Sequence, residues 1–160
     1  MSQNEPQAED HKMADSLEYA GFVLLAFELV KGTIVLPIKA FYENAVFGTG
    51  MPFQSYEEDV KSRHGNEFEA CLLYLRDFMK ALDSQDVLSI QSLRKHRNEL
   101  AHNLPSMIQS LDIGKYMPLH ERVDRVLFKL SSYRAYMEIG SDPELSEQDI
   151  DWDTVKGHEY

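Results

Sequence analysis

Cysteine is almost missing from this 160-residue chain: Cys71 stands alone, so no intrachain disulfide can form and no thiolate cage can hold a metal. Basic residues are few, 16 Lys and Arg against 27 Asp and Glu, a formal net charge of -11. Such a balance argues against partners as negative as nucleic acid, whose binding rests on cations displacing counterions. Strand signals are scarce, with no sustained two-residue alternation and no Asn-Gly or Asp-Gly hairpin between β-branched runs. The start, Met1-Ser2-Gln3-Asn4-Glu5-Pro6, lacks the basic residues and apolar core of a secretory signal. A long uninterrupted hydrophobic run is missing too. Glu28, Lys31 and Lys39 break the most apolar stretch, Ala20 to Phe41, which also holds Gly32 and Pro37. A span needs about 20 nearly unbroken apolar residues, so the expectation is a buried helix in a soluble, cytoplasmic protein without membrane partners.

What is present is helical. A hydrophobic fraction of 43% with 27% charged residues suits one globular domain. The first helix is expected from Asp15 or Ser16 toward Phe47, apolar nearly all round and therefore central in a bundle, with Pro37 kinking or breaking it. Residues 48–66 read as a connection, and Ser55-Tyr56-Glu57-Glu58 has the spacing to cap a short helix reaching Arg63. The Gly48 and Gly50 pair lacks the Lys-Ser/Thr of a phosphate loop. Asn66 caps a second long helix with the stripe Phe68, Cys71, Leu72, Leu75, Phe78, Met79 and Leu82. Asp83 or Ser84 caps a third, running to about Asn103. Pro118 opens a fourth and Gly140 closes it. The fold class is all-α, a four- to five-helix bundle over 15–140, between a disordered tail at 1–14 and an acidic tail at 141–160.

Charge follows this division. Residues 1–15 and 141–160 hold eleven acids and two bases, which leaves sixteen acids and fourteen bases, net -2, between them. The acidity sits mostly at the ends, so it does not veto a local anion site in the body.

The third helix carries the chemistry. Its apolar stripe runs Ile90, Leu93, Leu100, Leu104, Met107 and Leu111, and the gap between Leu93 and Leu100 falls on Arg97. An arginine there either snorkels to water past its packed stem or aims its guanidinium into a cleft. His102 lies five residues on, about 140° round an ideal helix. Asn98 and Glu99 share its face at i-4 and i-3. Pro105 is expected to push Leu104 from helical angles and end or bend the helix near His102. Arg94, Lys95 and His96 add a basic run beside it.

Arg97-Asn98-Glu99-Leu100-Ala101-His102 resembles the Arg-x4-6-His signature of the HEPN superfamily, small all-helical domains in which a polar residue commonly follows the arginine. The resemblance implies a HEPN-like bundle acting as a metal-independent endoribonuclease, often a toxin or defence effector, and forming a homodimer in which two motifs meet. It assigns catalysis to Arg97, His102 and Asn98. His102 would take the 2′-hydroxyl proton, Arg97 would hold the phosphate, and Asn98 would orient either group. Arg94, Lys95 and His96 would bind RNA. It also implies an antitoxin or a nucleotidyltransferase as protein partner. The competing expectation is an inactive helical module that binds a protein or regulates one, with Arg97 and His102 tying helices together. Glu99-x-x-His102 has di-iron spacing, but no second such pair and no His-Glu-x-x-His occurs, so no metal or cofactor is expected.

Overall fold

A computed structural model describes residues 5–141 together with Glu144, Asp151, Val155 and Gly157. The described residues are helical, without strands: α1 (Glu5–Asn44), α2 (Tyr56–Asp59), α3 (Glu67–Asp77), α4 (Ser84–Met107) and α5 (Met117–Ser141). Short 3-10 turns at Lys61–Arg63 and Ile113–Tyr116 lead into α3 and α5. The acidic segment expected at 141–160 lies almost wholly outside the described residues.

Local chemistry sets most helix starts. The Ser55 side chain accepts from the Glu58 amide, Asn66 from the Glu69 amide, and Asp83 from the Gln85 and Asp86 amides. Asp86 answers by accepting from the Asp83 amide, closing a capping box. Each satisfies a donor that a helix start leaves unpaired. Boundaries differ from expectation in α1, α3 and α4, the last running to Met107 rather than about Asn103. α1 begins at Glu5, so the segment expected as a tail is helical and Ser16 is buried inside the helix rather than capping it. Pro6 is tolerated in a first turn, and Glu9 and Asp10 suit the positive end of the helix. α3 stops at Asp77, short of Leu82: Lys80 takes a φ of 56°, and the Ala81 amide turns back to the Leu75 carbonyl.

Neither internal proline ends its helix. α1 runs through Pro37, which leaves the Thr33 carbonyl without an amide partner. The Arg134 guanidinium of α5 donates to that carbonyl instead. α4 likewise passes Pro105 and closes at Met107, so the expected break beside His102 does not occur there.

Val23, Phe27, Val30 and Ile34 of α1 form the core with Phe68 and Leu72 of α3, Ile90, Leu93 and Leu100 of α4, and Val123, Val126 and Leu130 of α5. The opposite face of α1 does not meet the expectation of a central helix. Phe22, Leu25, Leu29 and Leu36 are 57%, 64%, 64% and 66% exposed. The 45–55 connection is pinned by aromatic rings, Phe53 lying 5.0 Å from Phe41 and 5.4 Å from Phe47. Buried Asp59 holds it further, accepting from the Tyr42 hydroxyl at 2.7 Å and the Gln54 amide at 2.8 Å.

Candidate functional site

α4 packs its stripe on α1 and α5, and the gap between Leu93 and Leu100 is filled by His96, only 2% exposed. This corrects two expectations. The buried position is 96 rather than 97, and His96 does not belong to an outward basic surface. Arg97 lies at the edge of the stripe. Its guanidinium sits 5.7 Å from the Phe27 ring and reaches Glu28 at 3.3 Å, while the side chain remains 31% exposed. Its Nε is buried without a hydrogen-bond partner. The packed stem and outward charge are the snorkelling arrangement.

Arg97 and His102 point to different sides, as their 140° separation on an unbroken helix requires. Asn98 links the two sides. Its Oδ1 accepts from Arg97 Nη1 at 3.2 Å, and its side chain lines a groove shared with exposed His102. The groove measures about 500 Å³, and Gln91, Arg94, Lys95 and Glu99 also line it. Glu69 of α3 closes one wall, accepting from Arg94 at 2.5 Å and Gln91 at 2.8 Å. Lys95 is exposed. In formal charge Arg94 and Lys95 are matched by Glu69 and Glu99, so the basic run makes a balanced surface within one chain.

The helix pairing also builds a cluster that no sequence spacing reveals. The Tyr19 hydroxyl of α1 lies 3.0 Å from His96 Nε2 and 2.8 Å from Nε2 of His120 on α5. Tyr116 stacks on the His96 ring, centroids 3.6 Å apart and planes 19° from parallel. His96 Nδ1 is buried without a partner. A bare lone pair is tolerated inside a protein better than a bare N–H, so the proton is assigned to Nε2. His96 then donates to the Tyr19 oxygen, and the Tyr19 hydroxyl donates to His120. Burial pushes the Tyr19 hydroxyl up to about 12, with Tyr116 adding to it. Burial also lowers His120, and it lowers His96 first, His120 and Lys115 adding to this against an opposing pull from Glu99. Both imidazoles are held neutral.

Fold and site together define an all-helical bundle with an open polar groove along its fourth helix. No protein-family model matches the chain, and neither a curated protein nor a solved structure matches it.

Proposed function

We propose that the protein is a HEPN-like, metal-independent endoribonuclease that works as a homodimer, in a toxin or defence role with an antitoxin or nucleotidyltransferase as protein partner. The observation that carries this reading is Asn98, hydrogen-bonded to Arg97 and sharing an open groove with exposed His102. The carboxylate on Arg97 is the half-exposed Glu28, and a surface pair of that kind is worth about 0–1 kcal/mol. An RNA phosphate, bonded twice by the planar guanidinium, would displace it.

In this mechanism His102 removes the 2′-hydroxyl proton as a general base. The freed oxygen attacks the neighbouring phosphorus, and the P–O5′ bond breaks. Because Arg97 and His102 of one chain face different sides, the arginine that stabilises the charge gathering on the non-bridging oxygens comes from the second copy in the dimer. A 2′,3′-cyclic phosphate remains on one product, and O5′ leaves as a hydroxyl on the other by taking a proton from water, while His102 returns its own to solvent.

A second reading is favoured by the Arg97–Glu28 bond and the balanced groove: an inactive module that binds a protein through α4. Expression separates the two. A nuclease of this kind is toxic to its host, and Arg97→Ala relieves the toxicity; harmless expression together with intact RNA after incubation favours the module.

A further inference from the structure

α1 carries two apolar faces. One is the core stripe of Val23, Phe27, Val30 and Ile34; the other, roughly opposite at 100° per residue, is Phe22, Leu25, Leu29 and Leu36. These steps of three, four and seven residues make a seam at heptad spacing, with Gly32 completing the pattern. Between Glu18 and Glu43 the one charged residue on the seam is Lys39, a heptad beyond Gly32. The exposed side chains amount to roughly 400–500 Å² of apolar surface, the upper end of what a monomer leaves bare.

We propose that this seam pairs with the same seam of a second copy, the two α1 helices running antiparallel about a two-fold axis at Leu29. In that register Leu29 meets Leu29, Phe22 meets Leu36 of the second copy, and Leu25 meets the smaller Thr33. Large residues face small or apolar ones throughout. Charge selects the direction. The first turns carry Glu9, Asp10, Asp15 and Glu18 against Lys12, whereas Glu28 and Glu43 in the later part are balanced by Lys31 and Lys39. A parallel pair would stack the acids against their own copies; the antiparallel pair sets Glu18 beside Lys39, which also holds Glu67. A groove of about 480 Å³ runs beside the seam, with Val123 and Leu127 of α5 on its far wall. The second copy reaches into it and extends contact toward the roughly 800 Å² per partner of a stable interface.

Glu28 lies one residue from the axis, so the pairing sets both Glu28–Arg97 bridges on one side of the dimer. In this the inference deepens the ribonuclease reading and rests on it for the use of those arginines, though the seam itself does not depend on it.

Light scattering on the full chain without RNA tests the pairing. The expected mass is about 37 kDa, twice the 18.5 kDa of one chain. Leu29→Glu, on the exposed face, is expected to halve that mass with the helical circular dichroism unchanged. Register is read by oxidation in a Cys71→Ser background. Leu29→Cys should link into a dimer, while Phe22→Cys, about 21 Å along the axis from its own copy in the antiparallel pair, should not. A monomeric wild type, a Leu29→Glu dimer, or linking of Phe22→Cys overturns the proposal. So does flotation of the wild type with phosphatidylcholine–phosphatidylglycerol vesicles that Leu29→Glu abolishes, because α1 is also long and apolar enough to cross a membrane. A dimer that leaves RNA intact sinks the ribonuclease reading alone, and a cleaving wild type whose Leu29→Glu variant stays dimeric sinks the pairing alone.

Discussion

Arg97 of α4 is bonded to Glu28 of α1, Nη2 to Oε1 at 3.3 Å, while its Nη1 reaches Asn98 in the next position. The guanidinium proposed to bind phosphate is thus occupied by a carboxylate that water already half solvates. Removing that competitor frees it. Glu28→Gln is expected to tighten binding of a short single-stranded RNA several-fold at low salt, with stability changed by less than about 1 kcal/mol. Fluorescence anisotropy gives the affinity; no change, or weaker binding, would mean Arg97 does not meet the RNA.

The Tyr19 cluster predicts a sensitivity to acid. Folded His96 and His120 have lowered pKa values, so the unfolded chain takes up protons first as pH falls. The stability these groups contribute is complete above their unfolded pKa, about 6.5, and is lost as pH falls from there through the folded values. The melting temperature should therefore drop between pH 7 and pH 5, above the range where most carboxylates titrate. His120→Gln should flatten that slope. A wild-type melting temperature constant over this interval contradicts the assignment of neutral imidazoles.

Pro37 and Arg134 form a compensating pair. Pro37→Ala restores an amide for Thr33 and is expected to stabilise the protein by roughly 1–3 kcal/mol. Arg134→Ala alone leaves the carbonyl unmet and costs about 1–3 kcal/mol. In the double variant the arginine's cost should shrink, which urea denaturation of all four proteins measures as a coupling energy. Strict additivity would show that Arg134 does not serve that carbonyl.

Lys80 holds a left-handed φ of 56° at the turn after α3. A side chain there costs about 1 kcal/mol that glycine avoids. Lys80→Gly is expected to raise the urea midpoint with an unchanged slope; a lower midpoint would point to a packing role for the lysine stem.

The parts of this fold legible in the sequence are those decided within a few residues. Ser55, Asn66 and Asp83 each cap the helix that their spacing announces, because a cap bonds amides two or three positions away. The start of α1 was harder to place, since Glu9 and Asp10 suit a solvated tail and a helix first turn equally. Which of His96 and Arg97 fills the stripe depends on where α1 and α5 lie, and one position on a helix turns 100°. Tyr19, 77 residues from His96 and 101 from His120, meets both only through the packing of α1, α4 and α5. The Arg97-to-His102 spacing was plain in the sequence. That Glu28 answers Arg97 from 69 residues away was not.

The most direct measurement is cleavage of end-labelled tRNA and mRNA by the purified full-length protein in excess EDTA, with the product ends identified. The proposed mechanism predicts 2′,3′-cyclic phosphate and 5′-hydroxyl ends from the wild type, and a rate lower by about 100-fold or more for His102→Ala. RNA left intact by the wild type, or cut equally by wild type and His102→Ala, contradicts it.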